Sequence, residues 1–363
     1  MSLNAGIIGG GMIAEVHAAA IRGAGHRLAG LVASSSATTH AAAQRLHSRA
    51  YASVEEMLLD PNIDVVHICT PNSTHGHFTR AAVAAAKKIV CEKPLSTSLD
   101  DARELAALVR NSGVQTAVPF VYRFYPLLRE LRGRVVKGGR ILMLRGSYLQ
   151  DWLANADATN WRVSPSDGGP SRAFADIGVH LCDLIEFASG ERIVSLTCQL
   201  TTSHPQRDGV AISTEDIASM LFRTSSGVPG VLTVSQVSLG QKNRLVISVD
   251  TTDGAYEFDQ ENPDRLTIGG LGHTETIFRA AGGMLDAEAQ RINRLPAGHP
   301  QGYQDAFTAF VRDAYASFGG ARVDGLPSFD DGLRAAVLTD AVIRSASSGG
   351  WVEVPEPELA VAG

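Results

Sequence analysis

The sequence predicts a two-domain α/β protein: a parallel sheet covered by helices on both faces, followed by an open, mainly antiparallel sheet with helices of its own. Three observations carry that expectation. Over about the first 120 residues, near-continuous apolar runs alternate with amphipathic stretches, as parallel strands and crossover helices require. After Pro126 the strand-like runs follow one another with turns rather than helices between them, which favours antiparallel pairing. At 363 residues the chain is too long for one ordinary domain and fits two, expected at 1–122 and 123–363.

The elements follow in order. "NAGIIGG" is a short apolar strand, and "MIAEVHAAAIRGAG" a helix that ends in glycines. "HRLAGLVASS" is a strand, "ATTHAAAQRLHSR" a helix and "SVEEMLLD" a shorter one. "DVVHICTP", "HGHFTRAAVAAAK" and "KIVCEKP" read as strand, helix and strand. "SLDDARELAALVRNSG" is a helix that Ser98 can cap and that a glycine can end. "VQTAVPF" is a further strand. Beyond it, "LLRELRGRVVKG" is helical, and five stretches from "ILMLRGSYLQ" to "NRLVISVDTTDGAYEFDQ" read as strands, the last folded at "TTDG". "FADIGVHLCDLIEFASG" interrupts them as a long helix, and two helices near residues 301–318 and 329–348 close the chain.

Composition narrows the class of function. A net charge of −6 leaves no basic footprint for nucleic acid, and no Lys/Arg run suggests a membrane surface. No apolar run is long enough to cross a bilayer, and the glycine-rich start reads as a strand rather than a signal. Cys69, Cys91, Cys182 and Cys198 lack metal-type spacing and read as small buried hydrophobes in a reducing, cytoplasmic setting. The eleven histidines form no zinc-hydrolase motif, and no metal is expected.

Gly9, Gly11 and Ala14 make G-x-G-x-x-A directly after the first strand and, with Met12 and Ile13, form the mouth of the first helix. The first glycine permits a tight turn, the second lets a pyrophosphate approach the backbone, and the third position must be small for helix and strand to pack. In this strand–loop–helix setting the pattern points to a dinucleotide. A carboxylate at the end of the second strand would bind the adenosine ribose of NAD. Ser34, Ser35 and Ser36 stand there instead, with no acid and no neighbouring arginine, so NAD or NADP is permitted with a slight lean to NADP. The same serines can simply end a strand.

"GIIGGGMIAEVH", "TPNSTHGHF", "CEKPLS" and "WRVSPSDGGPSRAFADIGVHLCDL" together resemble the glucose–fructose oxidoreductase / inositol dehydrogenase (Gfo/Idh/MocA) family. The likeness extends through "VYRFYP" to the closing "DGLRAAVLTDAVIRSASSGGWVEV". It implies a Rossmann domain joined to an α/β domain with an open sheet, with the nicotinamide at their junction. It further implies an NAD(P)-dependent oxidoreductase of sugars, polyols or cyclitols, a homodimer or homotetramer built through the open sheet.

The resemblance assigns Lys93 of E-K-P to the nicotinamide ribose and the reacting carbinol, and puts Glu92 beside the cofactor. An ammonium at the C-terminal edge of a parallel sheet suits an oxygen whose charge changes as hydride moves. Without the resemblance, Lys93 is also readable as a strand-end lysine paired with Glu92. The pattern D-x-G-x-H falls on Asp176 and His180, with histidine as general acid/base and aspartate orienting the substrate or the lysine. Spacing puts Asp176, His180 and Asp183 on one face if the segment is helical. A structural alternative makes Asp176 a helix cap and His180 a core histidine. By resemblance, Pro71, Asn72 and His75 form a cofactor loop, the Trp161–Arg162 pair lies over the cofactor, and Tyr122 and Arg123 face the substrate. Val121 replaces a polar residue common in relatives. Tyr303 and His299 of "GHPQGY" are candidates for the substrate pocket. Two other functions share these motifs: a regulatory NAD(P)-binding protein, and a branch that cleaves glycosides with a retained nucleotide.

Overall fold

A computed structural model describes residues 2–280, 284 and 286–356. The chain divides into two compact units, the first up to Val121 together with Tyr303–Ala336, the second Tyr122–Gly302 together with residues 337–356. The expected boundary near 122 therefore marks the first exit from the N-terminal unit. The expectation that everything after it forms one domain fails at Tyr303–Ala336, and the reason is packing. The helix that opens this segment presents Phe307 to His17 and Thr308 to Gly23, both on the first helix of the N-terminal unit.

In the first unit six strands are all parallel: β1 (Asn4–Ile8), β2 (Arg27–Val32), β3 (Arg49–Ala50), β4 (Val65–Ile68), β5 (Lys88–Cys91) and β6 (Thr116–Ala117). They run in the order β3-β2-β1-β4-β5-β6. Register aligns their C-terminal ends: Ile8 lies beside Val32 and Ile68, and Ile68 beside Cys91. The loops that begin at Gly9, Ala33, Cys69 and Glu92 thus leave one edge of the sheet, where open α/β sheets take ligands. Helices α1 (Met12–Gly23), α2 (Ser36–Arg45), α3 (Val54–Leu59), α4 (His75–Ala84) and α5 (Leu99–Ser112) connect these strands. Ser98 caps α5 by accepting the Asp101 N–H, and Gly113 ends it in the left-handed region at φ +68°, as the sequence anticipates.

The second unit begins with α6 (Pro126–Lys137) and, among its described residues, contains nine paired strands plus a small hairpin. The strands are β7 (Ile141–Leu149), β8 (Ile193–Thr201), β9 (Gln206–Arg207), β10 (Val210–Ala211), β11 (Ile217–Thr224), β12 (Pro229–Ser235), β13 (Arg244–Thr251), β14 (Ala255–Asp259), β15 (Arg265–Gly270), β16 (His273–Phe278) and β17 (Val352–Glu353). β9 and β10 pair with each other; the rest run β16-β15-β14-β13-β7-β12-β11-β8-β17. Every pair in this sheet is antiparallel except β12 with β7. A short α7 (Pro165–Gly168) precedes a π-helical turn at Phe174–Gly178, which leads into α8 (Val179–Ser189). α8 lies on one face of the sheet, where Gly146 of β7 leaves room: a Cβ there would come 2.9 Å from Leu181 and 3.0 Å from Leu232. β11 alternates buried Ala218, Met220 and Phe222 with exposed Ser219, Leu221 and Arg223, so its other face is open. α9 (Ala287–Ile292) completes this unit's first segment. α10 (Tyr303–Phe318) packs on α1, and α11 (Phe329–Ser348) starts in the first unit and ends in the second. Among the described residues no helix is long and apolar enough to cross a membrane.

Candidate active site

The glycine loop is built as its spacing requires. Gly9 has φ +123°, and a Cβ on it would sit 2.4 Å from the Cys69 carbonyl oxygen. Gly11 has open space where its Cβ would be and stands at the N-cap of α1 without any side-chain cap. Met12 beside it is 73% exposed, while Ala14 is fully buried against the sheet. The first turn of α1 therefore turns uncapped backbone N–H groups and the positive end of the helix outward, a cradle that fits a pyrophosphate.

At the end of β2 the serines act first as a helix cap. Ser35 accepts the Thr38 N–H, and the Thr38 hydroxyl accepts the Ser35 N–H, while Ser34, Ser35 and Ser36 all stay exposed. Arg45, at the far end of α2, folds back to donate to the Gly10 carbonyl at 2.9 Å and pairs with Glu15 at 2.7 Å. Its distance along the chain concealed it.

The loops after β4 and β5 are tied together by His75. The ring is buried, with Nδ1 2.7 Å from the Pro94 carbonyl and Nε2 2.9 Å from that of Thr70. Each nitrogen thus lies within hydrogen-bond reach of a backbone carbonyl on one of the two loops, and a neutral ring donates to one of them. Burial lowers its pKa, opposed by those two hydrogen bonds. Pro71 is exposed and Asn72 half-buried on the same loop. Glu92 accepts from His17 Nε2 at 2.9 Å, and its second oxygen accepts the Lys93 backbone N–H at 3.2 Å. Lys93 itself is half-buried at the sheet edge.

In the second unit Asp176 lies in the π-helical turn and His180 at the start of α8. Asp176 Oδ2 accepts from Gln236 at 2.9 Å, and Oδ1 lies 3.4 Å from Arg162 Nε. The N-cap positions of the π-helical turn and of α8 are Ala173 and Gly178, not Asp176. His180, 9% exposed, sets its ring edge-on to Tyr122 at 5.2 Å. Asp183, three residues beyond His180 in α8, forms a bidentate ion pair with Arg123. Arg123 is buried in that pair. The Tyr122 hydroxyl bonds that of Tyr148, which donates to Asn243 Oδ1 at 2.7 Å, and Gln150 donates to the same oxygen. Burial raises the pKa of Tyr122, so this hydroxyl stays protonated. Trp161 and Arg162 are half-buried, the guanidinium over the indole at 4.4 Å. Tyr303 opens α10 in the first unit with its ring against Phe307, and His299 is exposed.

Sequence reading missed Gln236, Tyr148, Asn243 and Arg45. Gln236 carried a signal, being a polar residue in the apolar run "VLTVSQVS", and it has no exposed surface.

Residues 3–120 match the model of the Gfo/Idh/MocA oxidoreductase family with its NAD-binding Rossmann fold, and 132–257 match that family's C-terminal domain. A levoglucosan dehydrogenase of Pseudarthrobacter phenanthrenivorans is 28% identical over 331 residues, covering 82% of this chain and 81% of the relative. An inositol 2-dehydrogenase of Rhizobium meliloti is 26% identical over 95% of this chain and 97% of its own. The solved structure of a levoglucosan dehydrogenase complex with NADH and levoglucosan superposes with a TM-score of 0.91 at 26% identity, covering 98% of this chain and all of that one.

Proposed function

The chain belongs to the Gfo/Idh/MocA family of NAD-binding oxidoreductases, and we propose that it transfers a hydride between NAD(P) and a secondary hydroxyl or ketone of a sugar, polyol or cyclitol derivative. The observation that supports this reading most is the coincidence, in one chain, of the uncapped glycine loop, Lys93 after β5, and the Asp176–His180 pair. A regulatory nucleotide-binding protein would need only the first of these. The fit of the cofactor rests on the Gly9–Gly11 cradle, where a side chain at Gly9 would collide with Cys69 and Gly11 leaves open space.

Bound nicotinamide would accept or supply the hydride. Gly9, Gly11, Met12, Ile13 and Ala14 would hold the pyrophosphate by backbone N–H groups, and Pro71, Asn72 and Glu92 would border the nicotinamide half. Lys93 would donate a hydrogen bond to the reacting oxygen and stabilise its growing negative charge. His180 Nε2 or Nδ1 would take the hydroxyl proton in oxidation and return it in reduction, while Asp176, braced by Gln236 and Arg162, orients the substrate. Tyr122 and Tyr303 would line the substrate, with Trp161 and Arg162 over the cofactor. Ser34 and Ser35 would face the adenosine ribose, and the missing carboxylate there supports use of NADP as well as NAD.

Two further assignments accompany this reading. The open sheet face, with Leu221 51% exposed and Phe278 57% exposed, supports a homodimer or homotetramer joined through it. Four buried free thiols support a reducing, cytoplasmic setting. The test is a panel of levoglucosan, inositol, other polyols, ketoses and glycosides, assayed separately with NAD+ and NADP+. Steady reduction of either nucleotide by one class is expected. Tight nucleotide binding without turnover of any alcohol or ketone would overturn the proposal in favour of the regulatory or glycoside-cleaving alternatives.

A further inference from the structure

The first unit buries a continuous chain of hydrogen-bonding side chains of which the proposed reaction uses Glu92 alone. The Tyr315 hydroxyl lies 2.7 Å from His67 Nε2, His67 Nδ1 lies 2.6 Å from His17 Nδ1, and His17 Nε2 lies 2.9 Å from Glu92 Oε1. His17 and His67 have no exposed surface, and Tyr315 has 3%. Residue 67 sits in the middle of β4, between Val66 and Ile68, where an imidazole is costly unless both its nitrogens are satisfied. The rings are held in place from outside the chain: Phe307 packs edge-on to His17 at 4.7 Å, and His26 edge-on to Tyr315 at 4.6 Å.

Counting protons gives the chain a direction. A neutral imidazole has one N–H and one bare nitrogen. Burial, reinforced by His17, holds the His67 pKa well below its ordinary value, so His67 is neutral. With Glu92 a carboxylate that only accepts, and His17 neutral, the His17 proton lies on Nε2 and Nδ1 is bare. His67 must then donate from Nδ1, and its bare Nε2 accepts the Tyr315 hydroxyl. Burial pushes the pKa of that hydroxyl far up, so it keeps the proton it donates. Every bond therefore points toward Glu92. The reverse order requires a protonated Glu92 or an imidazolium at His17.

The other oxygen of Glu92 accepts the backbone N–H of Lys93. We propose that Tyr315, His67 and His17 are positioning residues, forming a proton-ordered brace that keeps Glu92 a carboxylate in one orientation and thereby fixes Lys93 where the chain leaves β5. The proposal rests on the reading of Lys93 as the residue that grips the reacting oxygen. It adds a dependence of that residue on a hydroxyl four hydrogen bonds away, on a helix contributed by the far end of the chain.

The direct test is long-range 1H–15N NMR of the full-length protein carrying 15N-histidine, with the two rings assigned through their contacts to Phe307 and Tyr315. The brace requires His17 protonated at Nε2 alone and His67 at Nδ1 alone. His67 protonated at Nε2, or His17 at both nitrogens, overturns it. Tyr315→Phe, which keeps the ring and removes only the hydroxyl, is expected to shift the His17 resonances and lower kcat about tenfold while KM for the nucleotide stays within about twofold. Lys93→Met is measured in parallel, with the substrate found by the panel above. Full activity of Lys93→Met would defeat the reading of Lys93 whatever the tautomers. Loss of activity in Lys93→Met, with Tyr315→Phe leaving both kcat and the His17 signals unchanged, would defeat the brace alone. Should Tyr315→Phe fail to fold, the tautomers of the unsubstituted protein still decide.

Discussion

Asp216 has no exposed side-chain surface and holds two equally buried guanidinium groups, those of Arg172 and Arg207. Burial alone would raise its pKa, but the two arginines outweigh burial and hold the carboxyl below its ordinary value. Arg207 in turn donates to the carbonyls of Leu153, Asn155 and Ala158, and so fastens the segment that leads to Trp161 and Arg162. Asp216→Ala strands two buried cations and is expected to cost about 3–5 kcal/mol, measured by urea unfolding. Limited proteolysis should then cut first near residues 153–158, because those carbonyls lose their clamp. His67 and His75 make a second prediction. Both have pKa values lowered in the fold, His67 by burial and the neighbouring His17, His75 by burial against the pull of its two carbonyls. The folded state therefore binds fewer protons than the unfolded one. Stability from this source is intact above the unfolded value near 6.5 and declines as pH falls below it, by at most about 1.4 kcal/mol per pH unit for each histidine. Chemical denaturation at pH 7.5, 6.5 and 5.5 should show that decline, and a flat profile would contradict the assignment of neutral buried histidines.

Helices and strands were legible in the sequence wherever local chemistry decides them. The bounds of α5 follow from Ser98 and Gly113, and Ser98→Ala should cost about 1 kcal/mol in thermal or urea unfolding. The glycine loop was legible too, because its geometry admits few residues. Gly9→Ala places a methyl against the Cys69 carbonyl at a positive φ, and titration should show nucleotide binding lost while the far-UV spectrum stays close to that of the parent. What the sequence concealed depends on distant partners. Asp176, inside the π-helical turn at Phe174–Gly178, contacts Gln236 and Arg162, whereas Asp183, in α8, pairs with Arg123. Simple helical spacing therefore grouped three residues of which one belongs to a separate ion pair. The place of β7 at the middle of its sheet, parallel to β12 and antiparallel to β13, is likewise absent from local pattern, since strand order is a property of pairing across long intervals.

At the scale of the molecule, the chain carries two cores, and a ligand of one core should show itself in the melting of that core. Saturating NADH at about one hundred times its Kd should add about 2.7 kcal/mol to the stability of the unit that binds it, and Gly9→Ala should remove the shift. Calorimetry with and without nucleotide measures both. The fold class was readable because apolar strands alternating with helices can cover a parallel sheet in only a few ways. The division of the chain was not, since the apolar face of α10 says that it packs somewhere and not where. That return of the chain bears on how the protein is made. His67 meets Tyr315 across 248 residues, so the N-terminal sheet emerges from the ribosome long before the helix that seals its histidines is synthesised. Until then His17 and Gly23 of α1 lack the Phe307 and Thr308 that pack on them in the finished fold, so the early chain shows surface that its later segment covers.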